Sequence, residues 1–149
     1  MNFLVFDTET DGLAYDCSKI HVLSYTTDGD EYISTDDYNE MRSILSKENT
    51  IFIAHNAISH DMVVFNRLLG IPLDYKKYID TLWVSRYLYP DRASHGLDAI
   101  GKEHGVAKPK IDNWENLNYE EYAHRCVEDV KINWLEWLKQ KKRLEEIYG

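Results

Sequence analysis

The chain opens MNFLVFDTETDG, residues Met1 to Gly12. The apolar run Phe3-Leu4-Val5-Phe6 leads straight into Asp7 and Glu9, and Asp11-Gly12 then turns the chain. Apolar residues at successive positions read as a central strand covered on both faces. Residues two apart in a strand share a face, so Asp7 and Glu9 project together if the strand runs on through them. Two carboxylates that close repel each other unless something positive lies between them. A hard divalent cation is the natural partner, because Mg2+ takes oxygen ligands and is held by one or two carboxylates together with substrate phosphates. By itself the pair is also explained as a solvated strand end, since the chain carries 26 acidic residues.

Working outward, alternating and buried patterns predict strands at 2–7, 20–27, 31–34 and 51–54, with a turn at Thr27-Asp28-Gly29-Asp30 making an antiparallel hairpin. Helices are expected at 36–45, at 58–69 up to Gly70, and at 81–89 before Pro90. A further helix is expected at 97–104 up to Gly105, then a loop holding Pro109, then a long helix from 119 to 147. The long helix begins with a capping box, Asn118 with Glu121, and Val127, Val130, Trp134 and Leu138 mark its apolar stripe. This is one mixed α/β domain, a hairpin-extended sheet of about five strands flanked by helices.

The composition fits that reading: 149 residues, 44% hydrophobic and 29% charged, enough for an ordinary core and too apolar for wholesale disorder. No apolar run approaches the roughly 18 residues of a membrane span, so no membrane partner is expected. The N-terminus lacks the basic region of a secretory signal, and a cytoplasmic location is expected. Cys17 and Cys126 stand in no pair motif and read as reduced thiols. The net charge of −9 argues against a nucleic-acid partner until some carboxylates are assigned to metal. Two divalent cations would take −9 to −5, since −9 + 4 = −5. Basic residues also cluster, at Lys76-Lys77, Arg86 to Arg92, Lys108 to Lys110 and Lys139 to Arg143.

Two more blocks carry acids at the edges of apolar faces. One is IAHNAISHDMVVF, residues 53–65, with His55-Asn56 ahead of Asp61. Read alone, Asp61 is an acid favoured near a helix N-terminus. His55 and His60 lack the partners for a tetrahedral zinc site. The other is HRCVED, residues 124–129, which sets His124 five and Arg125 four positions before Asp129.

FDTETDG, HNAISHD and HRCVED, taken in order, resemble the three sequence blocks of the DEDD superfamily of 3′–5′ exonucleases, whose fold is ribonuclease-H-like. The resemblance spans residues 4–130, and Asp80-Thr-Leu and Ser94-His-Gly-Leu-Asp98 fit the intervening stretches of exonuclease domains from phage-type family A DNA polymerases. It implies Asp7, Glu9, Asp61 and Asp129 as ligands of two divalent cations, Mg2+ with Mn2+ able to substitute. Those polymerase-type domains carry Tyr at the position of Arg125, whereas the other branch carries His at the position of His124. The third block is therefore of the histidine type, and His124 is the implied general base. The resemblance further implies substrate contacts from Thr10, Gly12, Leu13, His55, Asn56 and Arg125. The expected partner is the 3′ end of single-stranded DNA, in replication or proofreading, with a polymerase domain or subunit as a further partner. RNA ends are the alternative substrate, since nothing in the sequence fixes a 2′-hydroxyl contact. A non-catalytic binding module on the same fold would have lost at least one acid, and all four are present.

Overall fold

The computed structural model describes residues 1–106 and 117–149; the predicted Lys108 to Lys110 cluster and the loop at Pro109 lie outside them. Strand β1 (Asn2–Thr10) runs through both carboxylates, and β2 (Ile20–Thr26) and β3 (Ile33–Thr35) form the expected antiparallel hairpin. Helix α1 (Tyr38–Leu45) and β4 (Thr50–Ala54) follow. A fifth strand, β5 (Tyr78–Asp80), is three residues long, too short for an alternating pattern to register. The strand order is β3-β2-β1-β4-β5, with β1 parallel to β4 and β4 parallel to β5. The carboxyl ends of those three parallel strands therefore lie at one rim of the sheet, where open α/β sheets place their sites.

Strand alternation divides the core. Leu4 and Phe6 face one side, packed with Phe52, Val64 and Phe65, while Val5 faces the other, against Ile53, Val130 and Trp137. Asp7 and Glu9 continue the Val5 side by period two, and Thr8 continues the Phe6 side. Between β1 and β2 the register shifts: Glu9 pairs with Val22, but Thr10 pairs with Ile20, which leaves His21 as an extra, bulged residue. The bulge lets Ile20 share a core face with Leu23 and Tyr25, although three positions separate Ile20 from Leu23.

The expected helix at 58–69 is a helical segment over residues 57–69 that is not a regular α-helix. Wide turns at Ala57–Asp61 and Phe65–Leu69 flank a single α-helical turn, α2 (Met62–Val64). In the first wide turn the Met62 N–H reaches back five residues to the Ala57 carbonyl, and such turns gather at functional sites. Gly70, at φ 71°, closes the segment in the left-handed conformation. Helices α3 (Thr81–Leu88), α4 (Leu97–Glu103) and α5 (Tyr119–Tyr148) match their expected spans within a residue or so, and the Asn118–Glu121 capping box is present.

The stripe expected on α5 is corrected. Leu138 is exposed and Val127 and Trp134 are half-buried, whereas the buried face carries Asp129, Asn133, Glu136 and Gln140 beside Val130 and Trp137. The reason is that α5 is covered by the sheet on one side and by α3 and α4 on another: Asp129 faces the acids of β1, and Asn133, Glu136 and Gln140 face the helices. Arg92, His104 and Thr81 meet the last three there. Glu136, fully buried, accepts from Arg92 at 2.9 Å and from His104 at 3.1 Å. The Asn133 side-chain oxygen accepts from the Thr81 hydroxyl at 2.7 Å, and the Gln140 amide donates to the Thr81 carbonyl at 2.9 Å. No helix among the described residues is long and apolar enough to cross a membrane.

Candidate active site

The acids gather at the rim where β1 ends. β1 delivers Asp7 and Glu9, α5 lays Asp129 beside them, and ligand-capable oxygens of the three side chains lie within 4.8 Å of one another. Cys126, one turn before Asp129 on α5, packs under the pair, with its thiol 3.2 Å from the Asp7 carbonyl oxygen. Asp61 stands outside that group of three, on the opposite face of the sheet, near enough to raise the Asp7 pKa. It is buried, and the Thr8 hydroxyl donates to it at 2.6 Å, so the residue between the two β1 acids holds the fourth acid in place.

The electrostatics are those of crowded anions. Loss of hydration, then Asp129, Glu9 and Asp61 in that order, hold the Asp7 carboxyl well above the usual carboxylate range. A compact group of three carboxylates of this kind suits a hard divalent cation such as Mg2+.

Arg125 sits one helical turn before Asp129, and its guanidinium lies 3.9 Å from Glu9, on the cluster side of α5. His124 is exposed on the same turn. His60, set aside as a zinc ligand in the sequence, stands at the edge of the cluster with its ring 3.6 Å from Asp61. Its bond to the Asp61 carboxylate, opposed by burial and supported by the Gly12 carbonyl and Glu9, raises its pKa. Its adjacency to Asp61 was the only sequence signal for that place.

Thr10, Gly12 and Leu13 lead out of β1 into a braced loop. The Thr10 hydroxyl donates to the Gly12 carbonyl at 2.7 Å, and Asp11 accepts from the backbone of Ser18 and Lys19 at 2.8 and 3.0 Å. Arg67 donates to the Ala14 and Cys17 carbonyls at 2.6 and 3.1 Å, and the loop presents Leu13 to solvent, 74% exposed. His55 departs from the expected substrate contact. Its ring nitrogens are taken up inside the protein, by the Thr81 hydroxyl at 2.9 Å and the His95 carbonyl at 2.6 Å, so it ties β4 to α3 and the following loop. Asn56 turns the chain there at φ 65°.

Asp80 is a positioning residue whose partners Asn56 and Ile58 lie too far along the chain for a local pattern to show. Buried at the end of β5, it accepts from the backbone N–H of Asn56 at 2.9 Å, Ile58 at 3.0 Å and Leu82 at 3.0 Å. It thereby caps α3 and orients the wide turn that carries Asp61. Asp80→Asn puts an amide N–H against one of these donors. It is expected to cost about 1–3 kcal/mol in urea unfolding; an unchanged midpoint would show that the turn holds itself.

No family model matches the chain. By sequence it is similar to PolC-type DNA polymerase III of Streptococcus suis, 28% identical over 156 residues that cover 81% of this chain and 10% of the relative. The corresponding protein of Staphylococcus saprophyticus is 27% identical over 180 residues, 97% of this chain and 12% of that one. The chain thus spans about a tenth of the length of the curated relatives it matches. By fold it is similar to Brucella melitensis NrnC with bound Mg2+, at a TM-score of 0.76 and 20% identity over 98% of this chain and 75% of that one. NrnC bound to pGG gives 0.75 at the same identity, over 98% of this chain and 74% of that one. Escherichia coli RNase D, an exoribonuclease involved in structured RNA processing, gives 0.71 at 18% identity over 98% of this chain and 40% of that one. The architecture is a ribonuclease-H-like fold, a five-stranded mixed sheet flanked by helices.

Proposed function

We propose that the domain is a metal-dependent 3′–5′ exonuclease that hydrolyses the terminal phosphodiester of a single strand and releases nucleoside 5′-monophosphates. The observation that carries this reading is the convergence of Asp7, Glu9 and Asp129 within 4.8 Å at the sheet rim, with Asp61 close enough to raise the Asp7 pKa. Asp7, Glu9, Asp61 and Asp129 would hold two divalent cations, Mg2+ or Mn2+, which supply water activation and charge neutralisation at the scissile phosphate. The chain's own groups do the rest. The rigid strand aims Asp7 and Glu9 into one cleft, and Thr8 and Asp80 fix Asp61. His124 takes the proton of the attacking water, imidazole being the side chain best suited to proton transfer near neutral pH. Arg125 neutralises Glu9 and meets the phosphate backbone, and Leu13 wedges the terminal base above Thr10 and Gly12, with Asn56 beside the terminal sugar.

DNA is the first substrate of this reading, supported by the likeness to PolC-type polymerases, and a polymerase region is the corresponding partner. RNA is the second, supported by the likeness to RNase D. A gel of 3′-labelled and 5′-labelled single-stranded DNA and RNA, run with Mg2+, Mn2+ or EDTA, separates them. Mononucleotide release from the 3′ end that stops in EDTA is expected, and the faster polymer identifies the substrate. His124→Ala is expected to remove most turnover in the same assay while the fold survives, and near-normal activity would move the base to another group.

A further inference from the structure

Between the start of β2 and the start of α5 lies a cavity of about 760 Å3 whose described lining includes His21, Tyr38, Tyr119, Tyr122, Lys19 and Asp36. Its floor is a stacked pair: the rings of His21 and Tyr122 lie 4.1 Å apart and within 8° of parallel. His21 is there because of the bulge. It is the extra residue of β2 opposite the step from Glu9 to Thr10, and bulges beside active sites re-aim side chains in this way. The ring is thus turned toward the first helical turn of α5.

From the structure we infer that this cavity stacks a nucleobase of the bound strand upstream of the bond being cleaved. The inference deepens the exonuclease reading and rests on it. Position argues for that occupant: Tyr122 lies three residues before Arg125, which reaches Glu9, and His21 adjoins Val22, the cross-strand partner of Glu9. A strand leaving the cluster along the start of α5 crosses Arg125 and then meets the aromatic pair. Chemistry argues for it as well. Proteins that hold single strands without reading sequence combine aromatic platforms with cations, here the His21–Tyr122 stack and Lys19. Asp36 offers an acceptor for base amino groups. Burial first, then Lys19, lowers the His21 pKa, which keeps the ring neutral and suited to stacking.

The test uses single-stranded oligonucleotides carrying 2-aminopurine at successive positions, bound to the wild-type chain with Ca2+ in place of Mg2+. Quenching is expected at an internal position as well as the terminal one; equal emission at every internal position would overturn the inference without recourse to any variant. In parallel, the ratio of kcat/KM for a tetranucleotide over a dinucleotide is measured. His21→Ala and Tyr122→Ala are expected to lower that ratio roughly tenfold or more, the range of one lost base–aromatic stack. Tyr122→Phe is expected to keep it. An unchanged ratio in variants that melt like the wild type, with hydrolysis intact, overturns this inference alone. A wild-type chain that neither binds nor cuts oligonucleotides overturns the exonuclease reading and this inference together.

Discussion

Asp7→Asn is expected to make the metal-free protein more stable and nearly inactive. The substitution keeps the size of the side chain and removes one of the crowded negative charges. Loss of hydration and then Asp129, Glu9 and Asp61 hold the Asp7 pKa above its unfolded value of 3.8. The folded state therefore binds this proton more tightly than the unfolded chain does. Stability from this group is present below 3.8 and is lost as pH rises through the raised folded value. At neutral pH the favourable contribution present in acid is diminished or lost, and the amide, which has no proton to lose, removes that burden from the metal-free fold. Thermal unfolding in EDTA should show a higher midpoint for the variant, by about 2–4 °C for each kcal/mol relieved. Mg2+ should raise the wild-type midpoint by mass action and leave the variant nearly unmoved. Turnover should fall roughly a thousandfold, about 4 kcal/mol of lost barrier stabilisation. A variant less stable than the wild type in EDTA would mean that Asp7 contributes to the fold and that its charge is balanced within the protein.

The second large effect lies away from the rim. Arg92→Met is expected to cost about 3–5 kcal/mol, or roughly 10 °C in midpoint, because it strands a buried anion. Glu136 has a fully buried side chain, held by both Arg92 amino groups at 2.9 and 3.2 Å, by His104 at 3.1 Å and by Gln140 at 2.9 Å. Burial pushes the Glu136 carboxyl up, but the bonds from Arg92, His104 and Gln140 prevail and hold it below its ordinary 4.5. A depressed acid contributes stability above its unfolded pKa and loses it as pH falls through the folded value. Without Arg92 the carboxyl should prefer its proton, so the deficit of the variant should be largest at neutral pH and shrink on acidification. Chemical unfolding at pH 7 and pH 5 checks both parts. The double variant Arg92→Met, Glu136→Gln should recover a large share of the loss. A single variant within about 1 kcal/mol of the wild type at pH 7 would show that His104 and Gln140 suffice. The effect bears on the site because Glu136 lies two turns beyond Asp129 on α5, and the network fixes that helix against α3 and α4.

The opening block was legible because its chemistry is local. A strand's period of two places Asp7 and Glu9 on one face without knowledge of any other residue. The capping box of α5 and the stop of the 57–69 segment at Gly70 were legible for the same reason. What the sequence hid depends on partners far along the chain. The burial of Glu136 depends on Arg92, 44 positions earlier, which no local pattern on α5 announces. His55 stands in the sequence as an implied substrate contact, and its bonds to Thr81 and His95, 26 and 40 positions later, cannot be read there. The bulge at His21 is a property of pairing between two strands, and no pattern within 20–27 announces it. Asp61 stood out only through its resemblance to a family block, since the wide turn that aims it breaks ordinary helical periodicity. The crowding of Asp7, Glu9 and Asp129 is therefore the part of the site in which sequence and structure meet most directly.

That crowding is also the most direct place to test the proposal that the four acids exist to hold two cations. Metal-free protein titrated with Mn2+ and followed by electron paramagnetic resonance counts the ions and reports whether they are neighbours. Two bound ions per chain with an exchange-coupled signal are expected for the wild type, reduced to one uncoupled ion or none in Asp7→Asn. No bound Mn2+, or 3′-end hydrolysis that persists in EDTA, would contradict it.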